Sequence, residues 1–150
     1  MPTRSKRLDL LVDTSVAVAL VVADHEHHAE TIRGVGDRRL GLAGHAAFET
    51  FSVVTRLPPP ARRTPQTVAE LLAANFPESR FLSAEGARAL FERLAAEGIG
   101  GGAVYDALVG AAASEHGIVL ATRDRRALDI YRALDVEVEM LVDRDPRGGG

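Results

Sequence analysis

The sequence predicts an α/β fold: a mostly parallel central sheet of about five strands with helices on both faces. Three observations predict it. Short apolar runs such as "LDLLVD" and "IVLATRD", each ended by a polar break, read as strands buried on both faces. These runs alternate with longer segments of helical periodicity, the order that builds βαβ units. Crossovers in such units are right-handed and lay their helices over both faces of the sheet. At 150 residues, with no interior linker long enough to divide it, the chain is expected to form a single domain over residues 1–150.

The elements follow in order. Leu8 to Asp13 is a first buried strand, and Thr14 or Ser15 caps a helix running from Val16 to about Val22. A second helix starts around "DHEHHAE" and runs to the glycines of "RGVGD"; "RLGLAG" is the second strand. "HAAFETFSVVTRL" is a helix that Pro58 to Pro60 end, because proline cannot continue the hydrogen-bond ladder. Thr64 caps the next helix, with Pro65 in its first turn. "SRFLSA" is a third strand, "AEGARALFERLAAEG" an amphipathic helix, and "IGGGA" a loop. "VYDALVGAAASEHG" is a helix closed by Gly117, followed by the strand "IVLATRD", the helix "RRALDIYRAL" and a last strand, "VEVEML". Residues 1–7 and 143–150 are expected to be flexible tails.

Composition narrows the function. The chain has no cysteine, which excludes disulfides, thiolate zinc sites and a cysteine nucleophile. Net charge is −3, not the footprint of a protein that coats duplex DNA. No apolar run is long enough to span a bilayer, and no apolar signal core follows the basic N-terminus, so a cytoplasmic protein with no membrane association is expected.

Four acids stand where a parallel sheet builds its sites, beyond the carboxyl ends of strands. Asp13 follows the first strand and Asp124 follows "IVLAT"; Glu49 and Asp106 lie in the first turns of helices expected to flank the same sheet edge. Each alone has a structural explanation. Asp13 suits an N-capping turn, Asp106 the positive end of a helix, Glu49 a solvated stripe with His45, Ser52 and Arg56, and Asp124 a turn. Together the explanations weaken. Two unit charges about 4 Å apart in a partly screened site repel by roughly 4 kcal/mol. Converging carboxylates therefore require a cation between them or protons on some of them. An all-oxygen donor set favours Mg²⁺ or Mn²⁺ over zinc. Gly110 and Ala113, at helical spacing after Asp106, leave room for another element to approach that helix.

"VDTSV", "ETFSVVTRLPP", "GGAVYDALVGAAA" and "LATRD" occur in that order over nearly the whole chain. The ordered set resembles the PIN-domain ribonucleases, specifically the VapC-type toxins of VapBC toxin–antitoxin systems. The resemblance implies a PIN-like three-layer sandwich and a Mg²⁺- or Mn²⁺-dependent endoribonuclease that cleaves structured RNA and leaves 5′-phosphate and 3′-hydroxyl ends. Carried over by position, Asp13, Glu49, Asp106 and Asp124 would be the catalytic and metal-holding acids. Thr14, Ser15 and Thr122 would be supporting hydroxyls. The resemblance also implies a homodimer and a cognate VapB-type antitoxin that obstructs the site, with DNA bound only indirectly through that antitoxin.

Arg123, Arg125 and Arg126 abut Asp124 and are candidate phosphate contacts; Arg38, Arg39, Arg62 and Arg63 are weaker ones. Aromatic residues are only 5%, which argues against a broad base-stacking platform. "GIGGGA" follows a helix rather than a strand and is a flexible lead-in, not a phosphate cradle. His25, His27 and His28 lack the spacing and supporting ligand of a metal site. Phe48, Phe51, Val54 and Leu57 form an apolar helix face, for core packing first and in part for an antitoxin helix. Two rivals remain. A catalytically weak PIN-like module that mainly holds a protein partner would lack chelation-sensitive cleavage. A receiver-like signalling domain should carry a lysine beyond a late strand, but Lys6 is the only lysine.

Overall fold

The structure, a computed structural model, describes residues 9–142. The expected tails lie outside the described residues, as does Leu8. Four strands form one parallel sheet: β1 (Leu10–Val12), β2 (Leu40–Leu42), β3 (Leu120–Thr122) and β4 (Val138–Met140), in the order β2-β1-β3-β4. The helices are α1 (Thr14–Val21), α2 (His28–Val35), α3 (Ala46–Thr55), α4 (Pro65–Asn75), α5 (Ala84–Ala96), α6 (Ala103–His116) and α7 (Leu128–Ala133). Among the described residues no helix is long and apolar enough to cross a membrane.

The three-layer arrangement follows from side-chain alternation along the strands. Leu10 and Val12 enter one core with Val16, Ala17, Val54, Val68 and Leu72, from α1, α3 and α4. Leu11 points the other way, into a core with Leu90, Ala107, Ala113 and Tyr131, from α5, α6 and α7. Leu11 and Leu120 are fully buried, each worth about 1.5–3 kcal/mol of hydrophobic stabilisation. That is why the strand runs read as continuously apolar.

The sheet has four strands rather than about five, because "SRFLSA" never completes a ladder. The chain starts along β2: Glu78 N–H donates to Leu40 O (3.0 Å) and Arg80 N–H to Leu42 O (3.1 Å). The next ladder bond fails. Leu42 N–H is taken by the Ser79 hydroxyl (2.8 Å), and the Glu78 carbonyl accepts Arg80 Nη1 instead (2.8 Å). Only the bridge Ala43–Arg80 remains. The approach is close enough that any Cβ at Gly41 would overlap the Glu78 backbone.

Two further expectations change in detail. Asp13, not Thr14 or Ser15, is the N-cap of α1, and its side chain accepts the Val16 N–H. "RRALDIYRAL" is not one helix. Asp124 caps a single 3₁₀ turn, Arg125–Ala127, before α7 begins.

Strand order places the site. From β1 the chain moves outward to β2 on one side; from β3 it moves outward to β4 on the other. The direction reverses between β1 and β3, so the connections leaving their carboxyl ends diverge and open a crevice. Asp13 leaves β1 at that point, and Asp124 follows β3.

Candidate active site

Asp13 sits at the floor of this crevice, 4% exposed. Its position is dictated locally. β1 must end because the carboxylate competes for backbone donors, and the same carboxylate starts α1 by accepting an N–H of the first turn. Oδ1 accepts Ser15 Oγ–H at 2.6 Å and Val16 N–H at 3.2 Å. Oδ2 accepts Tyr131 O–H at 2.9 Å. Thr122 also hydrogen-bonds to Asp13, from the adjacent strand end. Burial nonetheless dominates and pushes the Asp13 carboxyl above its ordinary range, against the opposing pull of Ser15, Thr122, Tyr131 and the Val16 amide.

Two of the expected supporting hydroxyls join this network. The Ser15 hydroxyl that donates to Asp13 also accepts Arg123 N–H (2.9 Å), tying α1 to the segment beyond β3. Thr122 Oγ1 accepts Asp124 N–H (3.0 Å) and holds the turn that carries Asp124. The third does not: Thr14 Oγ1 is buried with no hydrogen-bond partner among the described residues.

The other three acids rim the same crevice. Burial first, then Asp124, Asp13 and Glu49, push the Asp106 carboxyl up to about 6, while Arg126 opposes them. Glu49, half-exposed on α3, is raised by burial and by Asp13, and His45, whose Nε2 lies 3.7 Å from its Oε1, pulls the other way. The four acids are thus near enough to act on one another. They are not a closed chelate. Among the described residues no three Asp, Glu or His side chains stand together as a ready ligand set, and this holds for His25, His27 and His28 as well. His28 Nδ1 bonds the Ala19 carbonyl (2.9 Å), and His25 and His27 pack ring to ring at 5.6 Å.

The arginines divide by location. Arg126 is exposed and lies against Asp124 Oδ1, by backbone N–H at 2.9 Å and by Nε at 3.5 Å. Arg125 is exposed in the same 3₁₀ turn. Arg123 reaches Thr31 on α2 (3.3 Å). Arg38 is committed to Glu139 as a bidentate pair (2.8 and 2.7 Å), and Arg39 to Asp9 and Glu78. Arg62 and Arg63 bond backbone carbonyls of their own loop. These last four brace the sheet edge and the loop rather than the crevice.

The few aromatic residues are not scattered. Tyr105, next to Asp106, stacks on His45 at 5.0 Å and 19°; His45 meets Phe48, and Phe48 meets Phe81. Phe48 and Phe81 are exposed and flank an apolar groove of about 410 Å³ with Phe51, Leu72 and Phe76. Of the expected apolar face on α3, Val54 is core, while Phe48 opens to this groove.

Tyr131 is the site residue that sequence reasoning misses. It is 1% exposed on α7, and burial, with Asp13, Asp106 and Asp124 near it, pushes its hydroxyl pKa far up, so it acts as a donor. The only trace in the sequence is indirect. Gly110, four residues after Asp106, marks a close approach, and the ring that approaches is Tyr131.

Comparison with known proteins identifies the family and the fold. The family model for the PIN domain matches residues 10–133. Ribonuclease VapC27 of Mycobacterium tuberculosis (strain ATCC 25618 / H37Rv) is 47% identical over 129 residues, covering 86% of this chain and 94% of its own. Ribonuclease VapC40 of Mycobacterium tuberculosis (strain CDC 1551 / Oshkosh) is 45% identical over 131 residues, covering 86% and 96%. Among solved structures, DNA-bound VapBC from Salmonella typhimurium matches with a TM-score of 0.64 at 20% identity, over 90% of this chain and 99% of that one. VapC20 of Mycobacterium tuberculosis, a sarcin–ricin loop cleaving toxin, matches at 0.62 and 19%, over 80% and 93%. At such identities the solved structures speak for the fold alone. With the curated relatives and the family model, they lead to one conclusion: the chain belongs to the PIN-domain family, among the VapC ribonucleases.

Proposed function

We propose that this chain is a Mg²⁺- or Mn²⁺-dependent endoribonuclease, the toxin of a toxin–antitoxin pair, that hydrolyses phosphodiester bonds in structured cellular RNA and so inhibits translation and growth. The observation that carries the reading is the gathering of Asp13, Glu49, Asp106 and Asp124 within electrostatic reach of one another, in a chain of the VapC family. Four acids that repel one another around one crevice lower the stability of the fold unless a ligand uses them.

The donor set fits a hard divalent ion. It is all oxygen, partly buried and electronegative. Hard oxygen donors suit Mg²⁺ or Mn²⁺, which keep several of their waters when bound. Asp13 and Asp106, with Asp124 or Glu49, would hold it. When bound, such an ion lowers the pKa of a coordinated water and offsets charge on the phosphoryl oxygens.

The chain's own groups do the rest. Asp13 is fixed by donors on both oxygens and does not need to reorganise. Glu49, whose Oε1 lies 3.7 Å from His45 Nε2, would orient the attacking water and take its proton. The water oxygen bonds to phosphorus, the P–O3′ bond breaks, and the leaving oxygen picks up a proton from solvent. The products are 5′-phosphate and 3′-hydroxyl ends. Arg125 and Arg126 would contact the RNA backbone.

The partners follow from the same reading: a VapB-type antitoxin, a second copy of the chain in a homodimer, and operator DNA only through the antitoxin. Several solved relatives of the fold are VapBC complexes, and the apolar groove beside Phe48 would be the surface for an antitoxin helix. The test is to map RNA ends from cells expressing the chain beside an Asp13→Asn control, and to repeat cleavage in vitro with and without a chelator. Discrete ends that vanish with Asp13→Asn and with chelation are expected. Equal cutting by Asp13→Asn refutes the mechanism.

A further inference from the structure

Asp13 has two kinds of partner. Ser15 and Val16 belong to the turn that Asp13 itself begins, so they fix the carboxylate relative to α1 and nothing else. Thr122 ties it to the neighbouring strand of the same sheet. None of these relates Asp13 to the α5–α7 layer, where Asp106 stands. Tyr131 does. It lies 118 residues away in sequence, and its hydroxyl donates to Asp13 Oδ2 at 2.9 Å.

The ring that carries this hydroxyl is wedged. A Cβ at Gly110 would come within 3.0 Å of Tyr131 Cδ1, and within 3.3 and 3.4 Å of Leu134 and Val136. Gly110 is one turn after Asp106 on α6, so the ring rests against the helix that positions the second acid. The ring is also part of the core with Ala107 and Ala113 of that helix. A close-packed core transmits a shift rather than absorbing it.

We propose that Tyr131 is a positioning residue of the acidic centre: its hydroxyl fixes Oδ2 of Asp13, while its ring, seated on Gly110, sets the spacing between Asp13 and the helix that carries Asp106. This rests on the reading of the acids as a metal-assisted nuclease site. Tyr131 touches no substrate. It acts through Asp13, as hydrogen-bonded groups behind a metal-binding carboxylate do.

The test uses the full chain and Tyr131→Phe, which keeps the ring and removes only the hydroxyl. Mn²⁺ binding is read from the loss of the free-ion EPR signal, and kcat and KM are measured on a structured RNA. All values are normalised to the folded fraction from circular dichroism. The expected result is a fall of about 10–100-fold in Mn²⁺ affinity or kcat, the range for such outer partners, with KM for RNA unchanged. In an Asp13→Ala background, which removes the acceptor, the same substitution is expected to leave Mn²⁺ affinity unmoved, because its route of action is gone. Gly110→Ala, which displaces the ring, is expected to reproduce the loss. Parent-like binding and turnover by folded Tyr131→Phe overturns the inference alone, as does a loss that merely tracks unfolding. A parent chain that neither binds Mn²⁺ nor cuts RNA overturns both the inference and the nuclease reading.

Discussion

Replacing Asp106 with Asn is expected to make the protein more stable and less active at once. Burial and the other three acids raise its carboxyl from 3.8 to about 6. One pKa unit corresponds to about 1.4 kcal/mol, so the unscreened penalty of ionising Asp106 in the fold is about 3 kcal/mol. The side chain is half-exposed, and solvent screening reduces this to about 1 kcal/mol. Its place in the first turn of α6 opposes the gain by about 0.3–1 kcal/mol through the helix dipole. The sign follows from the direction of the shift. A carboxyl whose folded pKa lies above its unfolded value costs nothing below about pH 3, where both states are protonated. The penalty grows as pH rises and is complete above about pH 6. Net of the helix dipole, Asp106→Asn should therefore gain at most about 0.7 kcal/mol near neutral pH, or about 1–3 °C in Tm at this chain length. The gain should shrink as pH falls toward the unfolded carboxyl value of 3.8. Urea unfolding of parent and variant at about pH 7.5 and about pH 4.5, followed by far-UV circular dichroism, measures it. Mg²⁺ in hundredfold excess over its Kd should stabilise the parent by about 2.7 kcal/mol and the variant by less. A variant that unfolds more easily than the parent at neutral pH, or a difference that does not shrink in acid, refutes the claim that the acids repel one another in the crevice.

Two further outcomes are expected. Mn²⁺ affinity should climb as pH rises through about 6, the value to which Asp106 is pushed, because the ion competes with the proton for that carboxylate; a pH titration of the free-ion EPR signal checks this, and a flat profile contradicts it. Ser15→Ala removes the hydroxyl that both donates to Asp13 (2.6 Å) and accepts Arg123 N–H (2.9 Å). The loss should be about 1.5–3 kcal/mol in urea unfolding, as for a hydrogen bond to a charged group, and unchanged stability would show that water replaces it.

Much of the architecture was legible because it is local. A strand buried on both faces must be apolar throughout, and Leu10, Leu11 and Val12 are. Thr64 followed by Pro65 starts a helix wherever it occurs, and it does so here. "SRFLSA" was misread because its β-pattern is real but its ladder is not. Whether Leu42 N–H meets the Glu78 carbonyl or the Ser79 hydroxyl depends on how closely the two segments approach at Gly41. The low aromatic content likewise hid the row from Tyr105 to Phe81, since composition says nothing about which rings the fold gathers on one face.

By itself the sequence determined the strand and helix order, the four acids at element ends and, through the ordered motifs, the family. Those properties depend on residues close together in the chain or on a pattern that survives without coordinates. The reversal of strand order between β1 and β3, the hydrogen bond from Tyr131 to Asp13 and the close approach of that ring to Gly110 emerge only when the chain is packed. The physical reason is distance along the chain. A hydrogen bond across 118 residues leaves no periodicity or spacing to read, because both partners are chosen by packing in three dimensions and not by their neighbours in sequence.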